Sequence, residues 1–110
     1  MEAGPVMWQP IGMVLEVGLI NVTAGQEDGF AAAYATAYDI LATTPGCRSV
    51  RMTRGIESPT RFVLLVEWDT VEAHTDNFRA TVRYTRWREL IGPYFDGAPL
   101  VEHFTDVPTP

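Results

Sequence analysis

An α+β fold is predicted for this 110-residue chain, a ferredoxin-like β-α-β-β-α-β domain with a four-stranded antiparallel sheet. Three observations predict it. Four stretches dense in Val, Ile, Leu or aromatic residues have the length of strands, two stretches carry apolar residues at helical spacing, and Gly and Pro fall between them so that the order reads as a split β-α-β unit.

Residues 1–12 hold Gly4, Pro5, Pro10 and Gly12 and read as an N-terminal arm without regular structure, with Trp8 as its anchor. Met13 to Val22 is the first strand. Thr23-Ala24-Gly25-Gln26 has the spacing of a capping box, and Phe30, Tyr34, Ala37 and Leu41 then recur on one side of a helix that Thr43-Thr44-Pro45-Gly46 ends. Cys47 to Arg54 and Arg61 to Trp68 form a hairpin around the turn-like Gly55 to Thr60. Asp69-Thr70-Val71-Glu72 has the spacing of a second helix start, and the chain stays helix-compatible, in one piece or two, to Ile91 before Gly92-Pro93. Leu100 to Asp106 is the last strand. The domain therefore spans residues 13–106, with residues 107–110 as a C-terminal tail.

Both faces of this sheet are apolar. In the first strand Met13, Leu15, Val17 and Leu19 alternate with Val14, Ile20 and Val22, and in the third Phe62, Leu64, Val66 and Trp68 alternate with Val63 and Leu65. Two helices cover one face only, and a solvated face alternates with polar residues. A homodimer joined sheet to sheet is the expected cover, and a domain this short gains from one.

Composition removes several function classes. The net charge is −6, from fourteen acidic residues against eight basic ones, all of them Arg, which makes nucleic acid an unsuitable partner. Cys47 is the only cysteine, so neither an internal disulfide nor a Cys-rich metal centre is expected. The apolar run from Ile11 to Val22 is broken by Glu16 and Gly18, so neither a signal peptide nor a membrane span is expected, and a cytoplasmic protein is. No Gly-rich phosphate loop, nucleophile elbow or HExxH spacing occurs.

The chemistry left rests on few residues. His74 and His103 are the only histidines and the candidate catalytic residues, because imidazole titrates near the working pH of a general base. Each taken alone also suits a hydrogen-bonded structural role. Glu16, Glu67 or Glu102 could join them around a metal, yet no ligand spacing supports it, and no metal is expected. Arg79, Arg83 and Arg86 fall near i, i+4 and i+7, which reads first as a solvated face paired with Glu72 and Asp76. Arg83 with Tyr84 and Trp87 is the subset suited to binding a phenolic or enolate substrate, with Trp68 as a further wall.

The first strand with Val22-Thr23-Ala24-Gly25, then Thr44-Pro45-Gly46-Cys47, Phe62 to Asp69 with Glu72-Ala73-His74, Trp87 to Phe95 and Val101-Glu102-His103-Phe104 together resemble the antibiotic biosynthesis monooxygenase (ABM) family over residues 13–106. The resemblance implies a dimeric α+β barrel with a ligand cavity between helices and sheet in each subunit. It also implies two activities to choose between, oxygenation of small aromatic, quinol or polyketide-like molecules by O₂ without metal or flavin and degradation of haem, in a family many of whose members have no known reaction. The competing class is a ligand-binding or stress-associated barrel without turnover, which any apolar cavity with one or two polar groups would satisfy. The haem-degrading branch is similar in fold, but its Asn, Trp and His fall at Gly18, Asn77 and Arg86 here, so no haem turnover is expected. The expected function is that of a cofactor-independent monooxygenase.

Overall fold

The computed structural model describes residues 13–110. The N-terminal arm and its Trp8 lie outside the described residues. Strand β1 (Val14–Asn21) leads into helix α1 (Glu27–Ala42), followed by β2 (Cys47–Arg54) and β3 (Arg61–Trp68). The next segment is compound: a short helix α2 (Val71–His74), a π-helical turn (Thr75–Arg79) and helix α3 (Val82–Ile91). A 3₁₀ turn (Gly92–Tyr94) and a loop precede β4 (Leu100–Phe104).

The four strands form one antiparallel sheet in the order β2-β3-β1-β4, so the two most apolar strands are central. The α+β ferredoxin-like expectation stands. Strands β2 and β3 occupy the residues expected of them, because a β-branched run bounded by turn residues leaves little freedom in where pairing stops. One extra residue, Arg48, bulges where β2 enters the sheet between the pairs Cys47/Trp68 and Ser49/Glu67, and its Nε meets Asp69 Oδ1 at 2.5 Å.

Helix starts differ from expectation. Gly25 adopts φ +90°, which turns the chain after Thr23, so α1 begins only at Glu27 with Gln26 before it and no side-chain cap; Thr23 instead accepts Gln26 N–H through its backbone carbonyl. The second helix is capped by Thr70, not Asp69: Thr70 Oγ1 accepts Ala73 N–H at 3.0 Å. At the other end of α1, Gly46 adopts φ +89°, and a Cβ there would stand 2.5 Å from Ala73 Cβ. That close approach pins the start of α2 against the α1–β2 corner, where Gly46 O also accepts Asp69 N–H at 2.8 Å.

The core lies between the helices and one sheet face. Phe30, Ala37 and Leu41 of α1 and Trp87 and Ile91 of α3 pack onto Ile20, Phe62, Leu64, Val66 and Trp68. Leu15, Val17, Val63 and Leu65 share the other face by register and are only half-buried, while Leu19, Leu100 and Phe104 on that face are 41%, 55% and 47% exposed. No helix among the described residues is long and apolar enough to cross a membrane.

Candidate functional site

The inner sheet face is not uniformly apolar. Alternation along β1 sends Glu16, Gly18 and Ile20 toward the helices, and Glu16 is 4% exposed in the middle of an otherwise apolar surface. Burying a carboxyl without partners costs several kcal/mol, on the order of 2–7 even for a neutral polar group. Its partner is Trp68, whose indole Nε1–H donates to Glu16 Oε1 at 2.9 Å, with His74 Nε2 3.5 Å from the same oxygen.

His74 closes α2 and is 2% exposed. Its ring stacks on Trp68, at 5.0 Å and 22° between planes, and lies near-parallel to Phe78, at 6.1 Å and 26°. The stack on Trp68 fixes the ring plane, so its two nitrogens point along defined lines: Nε2 toward Glu16, and Nδ1 toward His103 Nε2 at 2.7 Å. His103 reaches that position because β4 pairs with β1 in a register that puts His103 opposite Glu16. Three residues remote in sequence thus form one chain, Glu16–His74–His103.

The electrostatics set its protonation. Burial, the neighbouring His103 and the positive charge of Arg79 push His74 down to about 4, so its ring is neutral at ordinary pH. Burial and Arg79 also lower His103. Burial pushes Glu16 up, against the Trp68 hydrogen bond and the charge of Arg79. A neutral His74 carries one ring proton. With the proton on Nε2 it faces Glu16 while Nδ1 accepts from His103; with the proton on Nδ1 it donates to His103 while Nε2 faces a protonated Glu16. A shift from the first arrangement to the second carries one proton from a protonated His103 through His74 to the Glu16 carboxylate and leaves all three groups neutral.

This chain borders a partly enclosed cavity of about 430 Å³. Glu16, Gly18 and Leu64 make its floor, His74, Phe78 and Arg79 one side, and Tyr84, Trp87 and Arg88 of α3 the roof, with the chain entering β4 as its lip. Gly18 matters to its depth: a Cβ there would already stand 3.4 Å from Leu64 Cβ, so any larger side chain would grow into the cavity.

Of the residues singled out from sequence, His74, Tyr84 and Trp87 line this cavity. His103 stands behind His74, and Trp68 backs both Glu16 and His74 rather than facing the space. Arg83, expected to meet a substrate anion, does not line it: its Nη1 donates to Ile40 O and Thr43 Oγ1, both at 3.1 Å, and ties α3 to the end of α1. The reason is spacing within α3: Tyr84, Trp87, Arg88 and Ile91 recur along one face, and Arg83 lies about 100° around the helix from Tyr84. Arg79 is set apart from Arg83 and Arg86 by the π turn, where Ala80 N–H bonds Thr75 O five residues back and Thr81 restarts the helix by accepting Arg83 N–H on its Oγ1. The cavity's cations are Arg79 and Arg88. Sequence reasoning read Arg79 first as part of a solvated face rather than an anion site, missed Arg88, and weighed Glu16 only as a metal ligand; the signal for Glu16 was a lone acid within an apolar strand. Among the described residues no group of three His, Cys, Asp or Glu is placed to hold a metal ion.

Comparison with known proteins agrees with this architecture. Residues 13–90 match the model of the antibiotic biosynthesis monooxygenase family. An uncharacterised Bacillus subtilis protein, YczJ, is 34% identical over 95 residues, covering 86% of this chain and all of its own. The crystal structure of a Bordetella bronchiseptica protein assigned to the antibiotic biosynthesis monooxygenases superimposes with a TM-score of 0.84 at 38% identity, covering 87% of this chain and 98% of the other. SnoaB, a cofactor-independent oxygenase from Streptomyces nogalater, shares the fold with a TM-score of 0.76 at 17% identity, over 89% of this chain and 95% of its own.

Proposed function

The chain belongs to the antibiotic biosynthesis monooxygenase family, and we propose that it is a cofactor-independent monooxygenase of a small aromatic substrate, phenolic, quinol or polyketide-like, working as a cytoplasmic homodimer. The observation that carries this reading is His74, held neutral and stacked in place, opening onto a cavity walled by Tyr84 and Trp87. Held at about 4, His74 is unprotonated throughout the working range but a weaker base than a free imidazole, so the reading requires the Glu16 carboxyl beside Nε2 to draw the proton on.

The reaction needs little else from the protein. With its own proton on Nδ1 and hydrogen-bonded to His103, His74 takes the proton of an acidic substrate C–H on Nε2 and can hand it to the Glu16 carboxylate 3.5 Å away. The delocalised carbanion passes one electron to O₂, the resulting radical pair combines to a hydroperoxide, and loss of water leaves a carbonyl. A CH₂ group and one O₂ thereby become C=O and one H₂O. The cavity contributes orientation and exclusion of bulk water, and Trp68 acts through the others by holding Glu16 and the His74 ring.

The homodimer reading rests on the outer sheet face, where Leu19, Leu100 and Phe104 are exposed beside half-buried Leu15, Val17, Val63 and Leu65. Sheet-to-sheet pairing there should bury more than about 2,000 Å² in total, as obligate interfaces do.

Oxygen uptake by purified protein over a panel of anthrones and hydroquinones tests the activity. A substrate oxidised by the wild type should be oxidised about 10²- to 10⁴-fold more slowly by His74→Ala. Full activity in that variant would remove His74 as the base. Saturable binding across the panel with no oxygen uptake would replace the enzyme with a ligand-binding barrel.

A further inference from the structure

Although the chain carries a net charge of −6, the cavity concentrates the opposite sign. Its charged lining side chains are Glu16, Arg79 and Arg88. The two guanidinium groups converge on one ring: Arg79 lies over Tyr84 at 5.4 Å and Arg88 at 5.8 Å from the ring centre, with Arg88 also over Phe95 at 5.2 Å. The compound helix produces this. Tyr84 and Arg88 are neighbours at i and i+4 on α3, whereas Arg79 arrives from the π turn on the far side of the Ala80–Thr81 break.

A guanidinium that stacks on a ring keeps N–H groups at its edge for an anion. Arg88 Nη1 donates to the Tyr84 hydroxyl oxygen at 2.9 Å, which leaves the hydroxyl proton free to donate in turn. Arg79 stands near enough to Glu16, His74 and His103 for its charge to be felt by all three, so this cationic end is continuous with the proton-handling end. Phosphate is the poorer match. The start of α3 offers it little, because Arg83 N–H is taken by Thr81 Oγ1 and Tyr84 N–H by Thr81 O, whereas planar guanidinium edges suit a planar carboxylate.

We propose that the ligand of this cavity is an aromatic acid, its carboxylate held by Arg79 and Arg88 beside Tyr84 and its ring lying against Trp87 and Phe78 above Gly18. This rests on the reading of the cavity as the substrate site and narrows the substrate to a ring system bearing an anionic arm.

Calorimetric titration with 2-naphthoate, 2-naphthol and 2-naphthyl phosphate tests it without turnover. The naphthoate should bind about tenfold or more tightly than the naphthol, with an affinity that falls as salt rises. Arg79→Gln and Arg88→Gln should each weaken the naphthoate about tenfold and leave the naphthol within about twofold. Should Arg88→Gln melt early through loss of its stacking, Arg88→Lys supplies the second measurement and should keep the preference for naphthoate. Equal binding of naphthol and naphthoate, an unchanged naphthoate affinity in folded Gln variants, or tighter binding of the phosphate would each overturn the proposal. Naphthoate binding as expected, together with no oxygen uptake on any substrate, would uphold the anion site and defeat only the oxygenase reading.

Discussion

The two faces of the sheet are built on opposite rules. The face covered by helices holds a buried acid, a glycine gap and a stacked imidazole, while the face without helices presents Leu15, Val17, Leu19, Val63, Leu65, Leu100 and Phe104. Ordinary one-sided sheets bury their apolar residues and wet their polar ones. Here one strand, β1, puts Glu16 under cover and Leu19 in the open. The division separates two kinds of surface: the inner face gives up packing to line a cavity, and the outer face leaves apolar area that the proposed homodimer would cover.

Charge placed on each face gives the largest contrast. Leu64→Asp puts an unpaired carboxylate beneath the helices, where it should cost about 3–5 kcal/mol and leave little of a typical domain's stability. Leu65→Asp, one residue along and on the other face, should keep its circular dichroism spectrum and lose only its dimer by light scattering. If both variants unfold alike, the two faces do not have separate roles.

The inner face should next reveal itself by pH. His74 falls from 6.5 in the unfolded chain to about 4 in the fold, so between these values the unfolded state binds the extra proton and stability drops as pH falls. About 3 kcal/mol should be lost across this window. Glu16 acts in the opposite sense, because its folded carboxyl takes a proton above the unfolded value of 4.5 and acidification through that range favours the fold. Urea melts from pH 7 to 4 on wild type and His74→Gln separate the two: the variant should lose the large His74 part of the destabilising slope, keep the part from His103, which burial and Arg79 also lower, and keep the opposing one from Glu16. A wild-type slope that survives in His74→Gln would assign it elsewhere.

Glu16→Gln preserves the size of the side chain and an oxygen for Trp68 while removing the proton site. Oxygen uptake should fall about tenfold or more, with the melting temperature unchanged or higher, since a buried carboxyl is relieved. Equal rates in both proteins would reduce Glu16 to a structural hydrogen-bond partner. The smallest effect belongs to Gly18→Ala, whose added methyl meets Leu64 Cβ at 3.4 Å and should change stability by less than about 1 kcal/mol. Gly18→Leu reaches into the cavity and should abolish ligand binding while the protein still folds.

Much of this contrast was legible in the sequence, and what was not had a physical cause. Alternation in β1 and β3 displayed two apolar faces, but which one meets the helices depends on how β1 and β3 pair, and Val17 opposite Leu65 is a fact of register. The histidines stood out by scarcity; that they touch required β4 to lie beside β1, bringing His103 opposite Glu16. Glu16 broke an apolar run plainly enough to argue against a membrane span, yet its partner Trp68 lies 52 residues away, beyond the reach of any local pattern. Arg83 was singled out with Tyr84 and Trp87 as the cation of an aromatic cavity, but it lies off the α3 face that Tyr84, Trp87 and Arg88 share, and Arg79 reaches the cavity from across the π turn.

The π turn also acts as an adjuster of phase. Five-residue hydrogen bonding accommodates one more residue per loop of helix than the α form does, and Ala80 N–H to Thr75 O is that bond. Deleting a single residue between Thr75 and Arg79 would let the segment rewind as α-helix. Because a π turn holds its extra residue within nearly the same total turn as the α form, His74 and Arg79 would keep almost the same azimuth on either side of the deletion. The segment can therefore take up a change of one residue in chain length by changing helix type, with the imidazole and the guanidinium still facing the same cavity.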